Sequence, residues 1–201
     1  MRVQMNKLKE FMKRKDIVIS AKRYGIDALG AMAQGLFCSL LIGTIINTLG
    51  TQLNIPYFNT VGGYATAMSG PAMAVAIGYA LHCPPLVLFS LIAVGNAANG
   101  LGGAGGPLAV LIIAIIAAEF GKAVSKETKI DILVTPLVTI FIGVSLSALW
   151  APAIGQAASA VGQIIMWATE QQPFIMGIII LVVWNALAIF TPEKLATLVT
   201  I

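Results

Sequence analysis

Residues 84–122 limit the folds open to this chain. Two apolar runs, 84–98 and 107–121, flank a polar, glycine-packed centre, 99–106 (NGLGGAGG). Each run is about 15 residues, or about 22 Å as helix. A bilayer's hydrocarbon core is about 30 Å thick and asks for about 20 apolar residues. Neither run spans comfortably alone. The pair reads as two half-depth helices joined at membrane depth, or as two spans that draw on the glycine centre. In the first arrangement the linking backbone must be buried in protein or line a wet cavity, because lipid cannot satisfy its N–H and C=O groups. Broken helices of this kind build substrate sites in many transporters.

The rest of the chain agrees with a membrane setting. It is 58% hydrophobic and 10% charged, against about 25% charged in a soluble domain. The expected fold is an all-α integral membrane protein, a polytopic helical bundle with short or broken helices around the Gly-rich centre. Of 12 basic residues, Arg2, Lys7, Lys9, Lys13, Arg14, Lys15, Lys22 and Arg23 precede the first apolar run. Beside a span, such a head reads as a positive-inside anchor on an anionic leaflet, not as a nucleic-acid site. It is too long and too charged for a signal-peptide n-region. Met5, Leu8, Phe11 and Met12 recur at helical spacing, so residues 1–24 read as a basic cytoplasmic amphipathic head or a disordered basic tail. Residues 25–201 then form a single transmembrane domain. The location expected is the bacterial inner (plasma) membrane, multi-pass, with the N-terminus cytoplasmic and the lipid bilayer as first partner.

In order, 26–49 is a first span with small residues (Gly30, Gly35, Gly43) along one side, which lets helix backbones approach. Asp27 reads as an acidic residue in its first turn. Residues 59–82 are a second span, kinked or broken at Gly70-Pro71, because proline lacks an N–H and clashes with the preceding turn. Gly70-Pro71 and Gly106-Pro107 both open apolar segments, a short glycine-biased echo that chance explains. The polar link 122–131 follows the 84–121 pair. Residues 132–150 form a further span. Residues 151–172, interrupted by Gln156, Ser159, Gln163 and Glu170, make a poor span and a fair interfacial or pore-facing helix. Residues 174–190 are the last apolar run. An even number of crossings before Lys122, Lys126 and Lys129 puts that link in the cytoplasm. A cysteine at Ser125 is therefore expected to meet an impermeant thiol reagent only after lysis.

Several blocks resemble a known family: 24–37 (YGIDALGAMAQGLF), 102–110 (GGAGGPLAV), 119–138 (EFGKAVSKETKIDILVTPLV) and 172–177 (QPFIMG). They are similar to the PfoR-like branch of phosphotransferase-system (PTS) IIC membrane proteins. The resemblance covers roughly residues 20–178 and is most specific at 119–138. It implies a sugar-permease fold, regulatory in some members, and a homodimer. Family members continue beyond the equivalent of Gly177 with more membrane segments, so by this resemblance the chain is a partial, C-terminally truncated version. The function expected is a IIC permease component that translocates a sugar or related polar solute. The alternative is a membrane regulator of IIC-derived fold that binds a ligand or partner without transport. No enzyme activity, cofactor or metal is expected of this chain. Any phosphoryl transfer would belong to separate IIA and IIB proteins.

Asn96 and Asn99 with Gly100, Gly102, Gly103, Gly105 and Gly106 are the candidate substrate-binding residues. Glycine exposes backbone groups to a ligand, and amide side chains donate to and accept from sugar hydroxyls. Close helix packing at a bend is the structural alternative. No Gly-Lys-Ser/Thr follows, so this is not a phosphate loop. A bulky residue at Gly103 is expected to do more harm than one at Gly43. Glu119 and His82 are further possible site residues. Glu119 sits three residues before Lys122, a favourable helical pair, and reads as an anchor of the helix end. His82 and Cys83 are too few for a metal set and read as an interfacial helix end.

Overall fold

The computed structural model describes residues 10–171, and every element among them is helical. Among the described residues three stretches are long and apolar enough to cross a membrane: Arg23–Gln52, Pro85–Val124 and Asp131–Ile164. The chain is a multi-pass helical membrane protein. Helix α1 is Arg23–Gln52, with two π-helical turns, Arg23–Asp27 and Phe37–Leu41. It is followed by α2 (Pro56–Ala67), α3 (Ser69–Ala80), α4 (Pro85–Gly102), a 3₁₀ turn (Gly103–Gly105), α5 (Gly106–Val124) and α6 (Asp131–Gln171).

Proline sets several of these boundaries. Pro56 opens α2, Pro85 opens α4 and Pro107 lies in the first turn of α5, where the missing N–H costs nothing. Pro71 lies in the first turn of α3, and α2 ends at Ala67, four residues earlier. That is the carbonyl a proline ring displaces, so the expected break in 59–82 falls just ahead of Gly70-Pro71. Asp27 differs from expectation. Helical backbone begins at residue 21, so this exposed carboxylate lies beyond the first turn.

Of the three glycines expected to pack on one side of α1, Gly35 and Gly43 do, whereas Gly30 is exposed with nothing within 4 Å of its absent side chain. A Cβ on Gly35 would stand 2.6 Å from the Ala72 carbonyl oxygen, and one on Gly43 would stand 2.9 Å from that of Gly62. Further along, Gly50 meets Asn59, and Gly62 in turn meets Asn47. Helix α1 therefore runs antiparallel to α3 and then to α2. The core lies where α3, α4 and α5 meet: Met73, Ile77, Leu91, Val94, Val110 and Ile113 are fully buried there. Helix α6 closes it from the other side, with Thr139 against Gly121, Gly143 against Val94 and Gly155 against Gly102.

Helices α4 and α5 draw on the glycine centre at both ends, so each is about 27–28 Å long. They form a hairpin whose tip stops partway along its neighbours. Gly70 packs on Gly95 near that tip, and α1 and α2 continue about 20 Å past this level. The separate helices expected over 132–150 and 151–172 are one continuous helix, Asp131–Gln171. Pro152 does not break it, because Ala151 and Gly155 on either side are buried against the hairpin tip. At about 61 Å, α6 is twice the thickness of a bilayer core. Its last turns, like α2, pass beyond the tip. The 174–190 run lies outside the described residues.

The head residues, the turn after α3 and the link after α5 share the other end. Lys122 Nζ donates to the carbonyl oxygens of Asp16 (3.0 Å) and Leu81 (3.1 Å). Arg14 and Lys15 both pair with Glu127. The even parity expected of the 84–121 pair holds.

Candidate functional site

The sequence candidates fall into two groups at opposite ends of the hairpin. Glu119 is 13 residues along α5 from Gly106, about 20 Å.

At the tip, the seven candidates divide by what they touch. Asn99 Nδ2 donates to Ser69 Oγ over 3.4 Å, tying α4 to the start of α3. Its other flank covers Gly106: a Cβ there would stand 2.5 Å from Asn99 Oδ1. Thus Gly70-Pro71 and Gly106-Pro107 start their helices on two sides of one asparagine. Gly102 and Gly105 bring the turn against α6. A Cβ on Gly105 would lie 2.8 Å from the Ile154 carbonyl oxygen, and one on Gly155 would strike the Gly102 carbonyl oxygen. Gly105 and Gly155 demand glycine for this close approach, whereas a Cβ on Gly102 would come closest to the Ala109 Cβ, at 3.1 Å. Gly103 has φ +50° and ψ −121°, a conformation L-residues avoid, yet nothing lies within 4 Å of its absent side chain. Asn96, Gly100 and Gly103 are exposed on the outer face of the tip. The expected contrast between Gly103 and Gly43 changes accordingly, since Gly43 is the crowded position and Gly103 is constrained by its backbone alone.

Beside this turn is an open groove of about 430 Å³, walled by residues 101–104 and by Pro152, Gly155, Gln156, Ser159, Ala160 and Gln163 of α6. Gln156, Ser159 and Gln163 stand at i, i+3 and i+7, on one helical face. Their amides and hydroxyl are exposed towards the backbone of the turn. The sequence marked these three only as interruptions of an apolar run. Their helical spacing was the available signal, and their pairing with the glycine turn was not visible. The groove offers neutral donors and acceptors from side chains and from backbone, the kind of lining that suits a polyhydroxylated solute.

The other group is a charged network. Tyr24 OH donates to Glu119 Oε1 over 3.0 Å, and Lys122 Nζ lies 2.9 Å from Glu119 Oε2 as an ion-pair contact off hydrogen-bond geometry. Lys122 is 1% exposed. With the Glu119 side chain 15% exposed, the helical pair expected from the spacing is largely shielded from solvent. Arg23 donates to Asp16 and, over 2.7 Å, to the Leu81 carbonyl oxygen. His82, at φ 56°, is exposed with Nδ1 3.4 Å from Asp16 Oδ2. Glu119 and His82 thus meet one network and neither reaches the glycine turn. Arg23, hydrogen-bonded to Asp16, holds that carboxyl below its usual range. Burial pushes the Cys83 thiol up to about 12, so it is a poor nucleophile. Among the described residues no group of three or more His, Cys, Asp or Glu is placed to hold a metal ion.

No curated protein and no solved structure matches this chain. A family model does, over residues 26–197, nearly the whole sequence; its description is "Phosphotransferase system, EIIC". Members of that family are transporter components and are not by themselves catalysts. With its helical membrane bundle and the match along most of its length, the chain belongs to the EIIC family of the phosphotransferase system.

Proposed function

We propose that this chain is the permease component that carries a sugar or related polar solute through the membrane, and that the solute binds in the groove between the glycine turn and α6. The juxtaposition of the Gly103–Gly105 turn with Gln156, Ser159 and Gln163 carries this reading. A hairpin that stops short of its neighbours leaves backbone facing a wet cavity at depth, where transporters of broken-helix design bind their substrates. Asn96 and Gly100 are exposed on the outer face of the tip and Asn99 packs between α3 and α5, so the groove itself is lined by other residues. Family membership favours transport over a ligand-sensing regulator.

The sidedness follows from charge. The head, the turn after α3 and the lysine-bearing link share one end, which the positive-inside rule assigns to the cytoplasm. The groove then opens from the far side of the hairpin tip. Separate IIA and IIB proteins supply the phosphoryl group, the chain is of the PfoR-like branch, the native unit is a homodimer, and the setting is a bacterial inner membrane.

Uptake of labelled sugars by cells expressing the chain with IIA and IIB partners tests the reading. Gln156→Leu/Gln163→Leu should abolish uptake while the protein still assembles in the membrane, because these exposed side chains contribute little to packing. Undiminished uptake in that variant would place the solute elsewhere.

A further inference from the structure

The charged end holds a second cavity, about 400 Å³, lined by Lys15, Asp16, His82, Lys122, Ser125 and Lys126 among others. It lies where the helical stretches Arg23–Gln52, Pro85–Val124 and Asp131–Ile164 begin or end, at the level where apolar helix gives way to polar chain. Its carboxylates are already committed. Asp16 is held by Arg23, and Glu127 by Arg14 and Lys15. The cations are not used up. Among the described residues the Lys126 ammonium has no carboxylate partner. Ser125 is 3% exposed, and its Oγ has no hydrogen-bond partner among the described residues. His82 adds an exposed ring, and the Lys122 charge lies in the wall.

A positive cavity with a free ammonium, an unused hydroxyl donor and an imidazole matches the anionic acceptor oxygens of a phosphate group. We propose that this cavity binds a phosphate anion at the membrane boundary and so clamps the head to the 122–131 link. The ligand is a phosphate, whether on a lipid headgroup or free in solution. This site is distinct from the solute groove and does not depend on it.

The full chain in nanodiscs tests this by thermal unfolding at about 0.15 M salt, where long-range surface charge is screened. Three arms are compared: phosphatidylcholine alone, phosphatidylcholine with phosphatidylglycerol, and phosphatidylcholine with inorganic phosphate against chloride at matched ionic strength. Stabilisation by phosphatidylglycerol alone assigns a lipid headgroup, and stabilisation by inorganic phosphate assigns a free anion. In either arm Lys126→Asn should weaken binding about fivefold, as expected for one lysine near an anion. Asparagine tolerates the left-handed φ of 61° at that position. Lys129→Asn removes the same charge from the same link outside the cavity lining, and should change binding by less than about twofold. Equal losses in the two variants, equal stabilisation by chloride, or no stabilisation by either anion would overturn the site.

Discussion

Asn99 wraps Gly106: a side chain on Gly106 would meet Asn99 Oδ1 at 2.5 Å and the Asn99 carbonyl oxygen at 2.9 Å. The hairpin closes only because α5 begins without a Cβ at this point. Gly106→Ala should therefore cost about 1–3 kcal/mol by overpacking, read as a lower thermal midpoint of the purified protein. Asn99→Ala removes the nearer obstacle and should restore part of that loss. Gly103→Ala is destabilising for another reason, the strain of its backbone, and Asn99→Ala should not relieve it. Equal rescue of both glycine variants would show that Asn99 does not act through contact.

Glu119 and Lys122 make a second test of position against environment. Glu119→Gln keeps an acceptor for Tyr24 but leaves the Lys122 charge buried against two carbonyls. Removing one partner of a buried pair costs about 3 kcal/mol or more. The variant should be markedly less stable, and Glu119→Gln/Lys122→Met should recover much of the loss, because an uncharged pair of similar volume avoids the desolvation of both charges. Glu127→Gln, whose pairs are exposed, should be far milder. If solute uptake fails in the stable double variant, the Glu119–Lys122 pair serves transport as well as anchorage.

These results show where sequence was informative. Proline and glycine chemistry marked the break near Gly70-Pro71, the turn before Gly106-Pro107 and the small face of α1, because each depends on local backbone geometry. Lysine placement gathered the head and the link at one end. The continuity of α6 was not legible. Pro152 and the polar side chains after it argue for a boundary, and only contact with the hairpin tip overrides them. Nor could the sequence separate crowded glycines from open ones. Gly43 and Gly103 differ only in what lies opposite, which is a tertiary fact.

The docking of the head depends on pH in a defined direction. Asp16 is held below the usual carboxylate range by its hydrogen bond from Arg23, and Glu127 by Lys15 and Arg14. Because both values are depressed in the folded state, their contribution is complete above the ordinary carboxylate pKa and is lost as pH falls through the lowered ones. The head should remain docked at neutral pH and loosen below about pH 4. Limited proteolysis across residues 14–22 should be slow at pH 7 and accelerate in acid with an acid-active protease. Asp16→Asn/Glu127→Gln should show the loosened pattern already at pH 7. An unchanged cleavage pattern in that variant would mean that the Lys122 and Lys15 bonds to backbone carbonyls suffice to hold the head.

Cysteine labelling checks the sidedness and the head contact together. Ser125, the natural choice in the middle of the link, is 3% exposed and lies under Lys15, which donates to its carbonyl. A cysteine at Ser125 should therefore react slowly even after lysis, whereas one at exposed Thr128 should react quickly. Both should be protected from a membrane-impermeant reagent in intact cells if the link faces the cytoplasm. Cys38 and Cys83 are replaced first, so that the added thiol is the only one read. Adding Lys15→Ala should speed labelling at Ser125→Cys in lysed cells and leave Thr128→Cys unchanged, because only the former lies beneath the head. Rapid labelling of Thr128→Cys in intact cells would invert the proposed topology, and with it the side from which solute enters the groove.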